Sequence, residues 1–219
     1  MNLTEQNIES KAKFFANHLL KQAQKHEKEI TFDLQKIALQ VFAEIVGIEH
    51  KFKTEESLTQ KLTSKVKADI TNFLIEGLTE NEAIEKSINL RAKQNNDTLR
   101  YTFLFSNEKY VFAFKQTLNF LVRQNYKIPE KRVWNAWKNV GTVFDNGYRG
   151  INITIVSSQH QKFELQFHTE ESFDLKRKTH KLYKQIKLNT ISSLTKEKIK
   201  TELVEMAQEI QTPNGVKKL

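Results

Sequence analysis

The chain has no cysteine and only 2 prolines and 6 glycines among its 219 residues. Without cysteine it has no disulfide, no thiolate zinc site and no cysteine nucleophile, which fits a reducing compartment. Little proline beside 28% charged residues marks a globular chain rather than a disordered one. No apolar run approaches the roughly 18 residues of a membrane span, so no membrane partner is expected. The segment from Met1 to Lys13 is polar and carries acids early, unlike a cleavable secretory signal. A cytoplasmic protein is expected, with signal-independent delivery into another cell left open.

Hydrophobic residues make up 38%, and there are 15 phenylalanines, enough for one sizeable core with aromatic packing. Lys plus Arg is 35 against 26 Asp plus Glu, a net +9. That surplus favours a polyanionic partner such as a nucleotide, RNA or an acidic surface. A basic solvated face is the plainer alternative. The excess is spread along the chain and forms no tail.

The first third is helical by period. Phe14, Phe15, His18, Leu19 and Ala23 make one stripe, and Leu34, Ile37, Ala38, Val41, Phe42 and Ile45 make a second, with Gly47 expected to end that helix. Leu58, Leu62, Val66, Ile70 and Phe73 predict an inward face on a helix over 57–75, closed by Gly77. Thr79 followed by Glu82 has capping-box spacing and opens a fourth helix. Leu99 to Phe105 then reads as a buried strand, Glu108 to Val122 as a helix and Lys127 to Lys138 as a strand. Strands follow over 149–156 and 162–167, then helices over 169–186 and 195–210, and Pro213 starts a frayed tail. This order predicts an α/β (α+β) fold: a mixed sheet of about four to five strands with flanking helices. One domain spans 1–219, with a helical addition over 1–50, a core over 51–186 and a C-terminal helix and tail over 187–219.

Several residues could carry chemistry. Asp97 stands just before the first strand. In Lys162 to Phe167, Glu164 and Gln166 share a face with His168, opposite Phe163, Leu165 and Phe167. That polar face is either solvated, the plainer reading, or the floor of a cleft. Lys51, Lys53, Ser57 and Lys61 gather near a helix start, a chemistry that suits phosphate. In Asn146 to Asn152, an exposed Tyr148 could stack on a base and Arg149 hold a phosphate. A hairpin corner with a core tyrosine is the alternative.

Together these pieces resemble the RelA/SpoT synthetase family, of nucleotidyltransferase-like fold. There a basic segment with Ser and Lys precedes an Asp-bearing strand entry, a G-Y-R-S-[LI]-H segment, and an E-[IV]-Q-[IVL]-R-T strand. Lys51, Lys53, Ser57 and Lys61 resemble the first, and Asp97 with Arg100 the second. Gly147 to Asn152 is similar to the third, and Glu164 to Thr169 to the fourth. His180 to Lys184 resembles the family's A-H-W-x-Y-K segment. Three departures stand out: Asp97 and Arg100 are closer than in D-I-x-G-x-R, Asn152 replaces His, and His168 replaces Arg.

The resemblance implies ATP-dependent pyrophosphoryl transfer to the 3′-hydroxyl of a purine nucleotide, as in alarmone synthesis, without a hydrolase domain. Asp97 and Glu164 would hold Mg²⁺, with Glu164 assisting the metal or activating the hydroxyl. Lys51, Lys53, Ser57, Lys61 and Arg100 would bind the ATP phosphates, and Tyr148 would stack on the acceptor base. Arg149, Asn152, Gln166 and His168 would complete the nucleotide contacts. The alternatives are a toxin-type enzyme acting on the 3′ end of tRNA, or an inactive fold that binds nucleotide, RNA or protein. A homo-oligomer or a neutralising partner protein is a further expectation. The helices before Lys51 and after Asn189 lie outside the resemblance.

Overall fold

The computed structural model describes residues 3–186 and 191–219. The expected boundary at 186/187, the Asn189 limit of the resemblance, and residues 1 and 2 of the N-terminal addition fall outside the described residues or against them. Elements run α1 (Leu3–Val41), β1 (Glu44–Val46), α2 (Glu55–Ile75), α3 (Glu80–Gln94), β2 (Arg100–Leu104) and α4 (Tyr110–Arg123). They continue β3 (Val133–Asn135), β4 (Ile151–Val156), β5 (Lys162–His168), α5 (Glu170–Ile186) and α6 (Ser193–Met206). No helix among the described residues is long and apolar enough to cross a membrane.

Where two N-terminal helices were expected, one 39-residue helix forms. It stops because Phe42 turns left-handed at φ 55°. The stretch expected to carry the helix on to Gly47 is instead β1, paired antiparallel to β2 with Ile45 opposite Phe103. The expected strand over 127–138 shrinks to three residues, flanked by 3-10 turns over Glu130–Arg132 and Ala136–Asn139. Asn135 forces the second turn by accepting from Trp137 N at 3.1 Å. The tail is docked rather than frayed: Val216 is buried, and its carbonyl accepts from Asn135 Nδ2 at 2.8 Å.

The sheet order is β1-β2-β5-β4-β3. Glu164 N donates to Leu99 O at 3.0 Å and Phe105 N to His168 O at 2.9 Å, so β2 and β5 run the same way while β3 and β4 are antiparallel. The sheet is therefore mixed, as expected.

The chain divides into two compact units. The first comprises Met1–Phe32, Glu49–Arg100 and Val156–Glu164. Its core packs Ile8, Ala12 and Ala16 of α1 against Leu58, Leu62 and Val66 of α2 and Ile84 and Ile88 of α3. Thr54 caps α2 by accepting from Ser57 N, and Thr79 and Glu82 complete the expected capping box of α3. Buried Asp69 receives Arg91 and Ser87 of α3, so its desolvation is offset by a charged partner and a hydroxyl.

The second unit comprises Asp33–Ile48, Tyr101–Ile155 and Leu165–Leu219. Its core is aromatic. Phe167 meets Phe103 at 6.1 Å, Phe105 at 5.8 Å and Phe114 at 4.9 Å between ring centres, and Tyr110 packs edge-on against Trp137.

Candidate functional site

In the first unit the basic segment and the strand entry meet. Lys53 N donates to Thr98 O at 2.9 Å and Arg100 N to Lys51 O at 2.8 Å, so 51–53 lies as an extended rung beside the start of β2. This rung and the first turns of α2 place two ammoniums on one carboxylate. Lys53 Nζ lies 2.7 Å from Asp97 Oδ2, and Lys61 Nζ 2.5 Å from Asp97 Oδ1. Asn95 Oδ1 also accepts from Lys61 Nζ, at 2.9 Å, and Asn95 Nδ2 donates to Thr98 Oγ1 at 2.7 Å, which fixes the loop before the strand.

Burial pulls the Asp97 carboxyl upward, but Lys61 and Lys53 outweigh it and hold it far below its ordinary 3.8. Burial lowers Lys53 from its ordinary 10.5, against the pull of Asp97 and with help from Lys61 and Arg100. Arg100 is half-buried and is thus part of the same electrostatic cluster. Glu164 is half-buried on β5, with its N–H bonded to Leu99.

One member of the expected phosphate set is ion-paired elsewhere, and a second gives its backbone N–H to a helix cap. Lys51 Nζ pairs with Glu27 Oε1 of α1 at 2.8 Å. Burial works to raise the Glu27 carboxyl, but bonds from Lys51 and Thr31 keep it below its ordinary value. Ser57 does lie one turn before Lys61, but its N–H is consumed by Thr54.

In the second unit Tyr148 is the hub. Its hydroxyl donates to Asn152 Oδ1 at 2.7 Å and lies 2.9 Å from His168 Nε2. Its ring stacks on Trp134, with centres 5.0 Å apart at 22°. His168 is 0% exposed, and Nδ1 meets Ser172 Oγ of α5 at 3.0 Å. Burial, then Lys176, push its pKa well below 6.5 against a bond with the Arg149 backbone, so the ring is neutral. Gly150 makes room for it: a Cβ there would sit 2.8 Å from His168 Cε1. Asn152 and His168, which depart from the family's pattern, thus share one hydroxyl, and Gly150 leaves room for the ring.

The polar face of β5 is not solvated here. Gln166 Oε1 accepts from Thr102 Oγ1 at 3.3 Å and from Lys176 Nζ of α5 at 2.5 Å, so α5 covers both Gln166 and His168. Arg149 is turned into the fold. It is 2% exposed and grips Asp145 through two bonds, of 2.8 and 3.1 Å, while its buried Nε has no partner. It ties down the 145–149 turn, where Gly147, at φ 77°, is pressed against Leu203. His180 and Tyr183 lie on the outer part of α5 and are exposed.

Sequence reading passed over Trp134, Glu27 and Asn95. Trp134 carried a usable signal, since a tryptophan in a short polar strand is seldom core. The others show only as contacts made by the fold.

Among the described residues no three His, Asp or Glu side chains gather as a metal cage. Asp97 offers one carboxylate already holding two ammoniums. That donor set fits Mg²⁺ only when the cation arrives with phosphate oxygens, which supply ligands and draw off the lysines.

Neither a protein-family profile nor any curated protein sequence matches the chain. Solved structures do. Small alarmone synthetase 2 from Bacillus subtilis aligns over 88% of this chain and 90% of its own, at TM-score 0.54 and 16% identity. A GTP pyrophosphokinase family protein from Streptococcus pneumoniae aligns over 88% and 89%, at 0.51 and 15%. The type VI effector Tas1, solved with its immunity protein, aligns over 87% and 93%, at 0.50 and 15%. The chain has the RelA/SpoT-like synthetase fold of the small alarmone synthetases.

Proposed function

We propose that the protein transfers a pyrophosphoryl group from ATP to the 3′-hydroxyl of a purine nucleotide. The observation that carries this reading is Asp97 held between Lys53 and Lys61 at the entry of β2, in a fold shared with alarmone synthetases. Lys53, Lys61 and Arg100 bind the polyphosphate and stabilise charge on the group in transit. Glu164 takes the proton of the acceptor hydroxyl while that oxygen attacks the β-phosphorus. The bond from the β-phosphorus to the α–β bridging oxygen breaks, and AMP leaves. Asp97 and Glu164 would hold Mg²⁺ together with phosphate oxygens, and the ion would neutralise developing charge. In the second unit, Tyr148 is backed by Trp134 and its hydroxyl is held by Asn152 and His168, which gives a fixed aromatic face of the kind that stacks on a nucleobase.

A second reading takes the 3′ end of tRNA as acceptor. The net +9 favours it, and the fold shared with an effector solved with its immunity protein supports a neutralising partner protein. Purified protein with Mg²⁺, labelled ATP and GTP, GDP, ATP or bulk tRNA separates the readings. Acceptor-dependent AMP release that is lost in Glu164→Gln supports transfer, and the acceptor that responds selects between the two. No AMP with any acceptor, from folded protein, would leave a binding fold without this chemistry.

A further inference from the structure

One face of α1 in the first unit is turned to solvent and plays no part in the proposed reaction. At about 100° per residue, Phe14, His18, Lys21, Lys25, Lys28 and Phe32 fall within an arc of about 80°, and all six are exposed. The opposite face carries the buried Ala12, Ala16, Ala23 and Ile30. The expected apolar stripe is therefore split, with Phe15, Leu19 and Ala23 turned inward and Phe14 and His18 outward.

Phe14 is 69% and Phe32 57% exposed, and the edge of Phe15 supports the Phe14 ring at 5.7 Å. The rings stand about 27 Å apart along the helix, with three lysines between them. No salt bridge among the described residues engages those lysines. Of the acids nearby, Glu29 accepts from Gln159 at 2.8 Å, and Glu27, within electrostatic reach of Lys28, is paired with Lys51.

We infer that this stripe is a docking surface for single-stranded RNA. Lys21, Lys25 and Lys28 meet successive phosphates, and Phe14 and Phe32 stack on unpaired bases at either end. A duplex keeps its bases stacked and offers the rings nothing. An acidic bilayer is a poorer fit, because two rings separated by three ammoniums form no continuous apolar sector to bury. The inference is independent of the transfer reaction, since its test reads binding alone.

The test is fluorescence anisotropy of the full chain with an unstructured oligoribonucleotide whose 3′ end is blocked, across a salt series. Joint Lys21→Glu, Lys25→Glu and Lys28→Glu substitution is expected to cut the salt slope by about 2, at roughly 0.7 per lost phosphate contact. Phe14→Ala and Phe32→Ala are each expected to weaken binding about tenfold and leave the slope alone. All five side chains are exposed, so far-UV ellipticity is expected to stay unchanged. No RNA binding by the parent chain, or equal binding by the triple variant, would overturn the inference. So would tighter binding to single-stranded DNA or to vesicles containing phosphatidylglycerol.

Discussion

Asp97 shows how one residue states both a site's rest state and its function. Its two oxygens are taken by Lys53 and Lys61, so any polyphosphate must first compete with a carboxylate. Asp97→Asn is expected to tighten Mg²⁺-free ATP several-fold, on the order of the 1 kcal/mol that a partly screened pair contributes. With Mg²⁺ the change is expected to reverse, because the metal loses a carboxylate ligand. Calorimetric titration with and without Mg²⁺ checks this, and a variant indistinguishable from the parent in both arms would remove Asp97 from the phosphate site. His168 gives a second test. Its folded pKa lies below the ordinary 6.5. On acidification past 6.5 the unfolded chain binds a proton that the folded chain refuses, so stability is full above that value and falls below it. In urea unfolding between about pH 5 and 8, His168→Gln is expected to lose that part of the acid slope. An identical slope would mean the ring is protonated in place. The sequence exposed Tyr148, Asn152 and His168 through motif likeness. It could not show that Asn152 and His168 both serve the Tyr148 hydroxyl, because that depends on where β4 and β5 bring them.

Elements were legible where local chemistry and tertiary fold agree. The capping box at Thr79, the Leu58–Leu62–Val66 face of α2 and the alternation in β5 each state their structure within a few residues. β1 was not legible. Glu44 to Val46 continues the apolar period of α1, and neither glycine nor proline marks the break, which falls at Phe42 in a conformation unusual for phenylalanine. What makes β1 a strand is its ladder to β2, a partner about 58 residues away. The polar face of β5 misled in the same way. Period two separates its faces correctly, but only α5, with Ser172 and Lys176, turns a face that reads as solvated into a buried polar one.

For the whole molecule, the composition gave no linker, and the structure shows why none was visible. Four of the five divisions between the two units, at 32/33, 100/101, 155/156 and 164/165, fall inside α1, β2, β4 and β5, and the fifth, at 48/49, falls in the short 3-10 turn Ile48–His50. Interrupting a helix or a strand ladder at an interior peptide sacrifices hydrogen bonds on both sides of the break, so such elements melt as wholes. The two tryptophans, Trp134 and Trp137, both lie in the second unit, whereas α2 and α3 lie wholly in the first. Tryptophan emission therefore reports one unit, and far-UV ellipticity draws heavily on the other. We expect the two signals to share one midpoint in urea, because four continuous elements cross the divisions. Two separated midpoints would show that these elements can part at the division and that each unit holds its own fold.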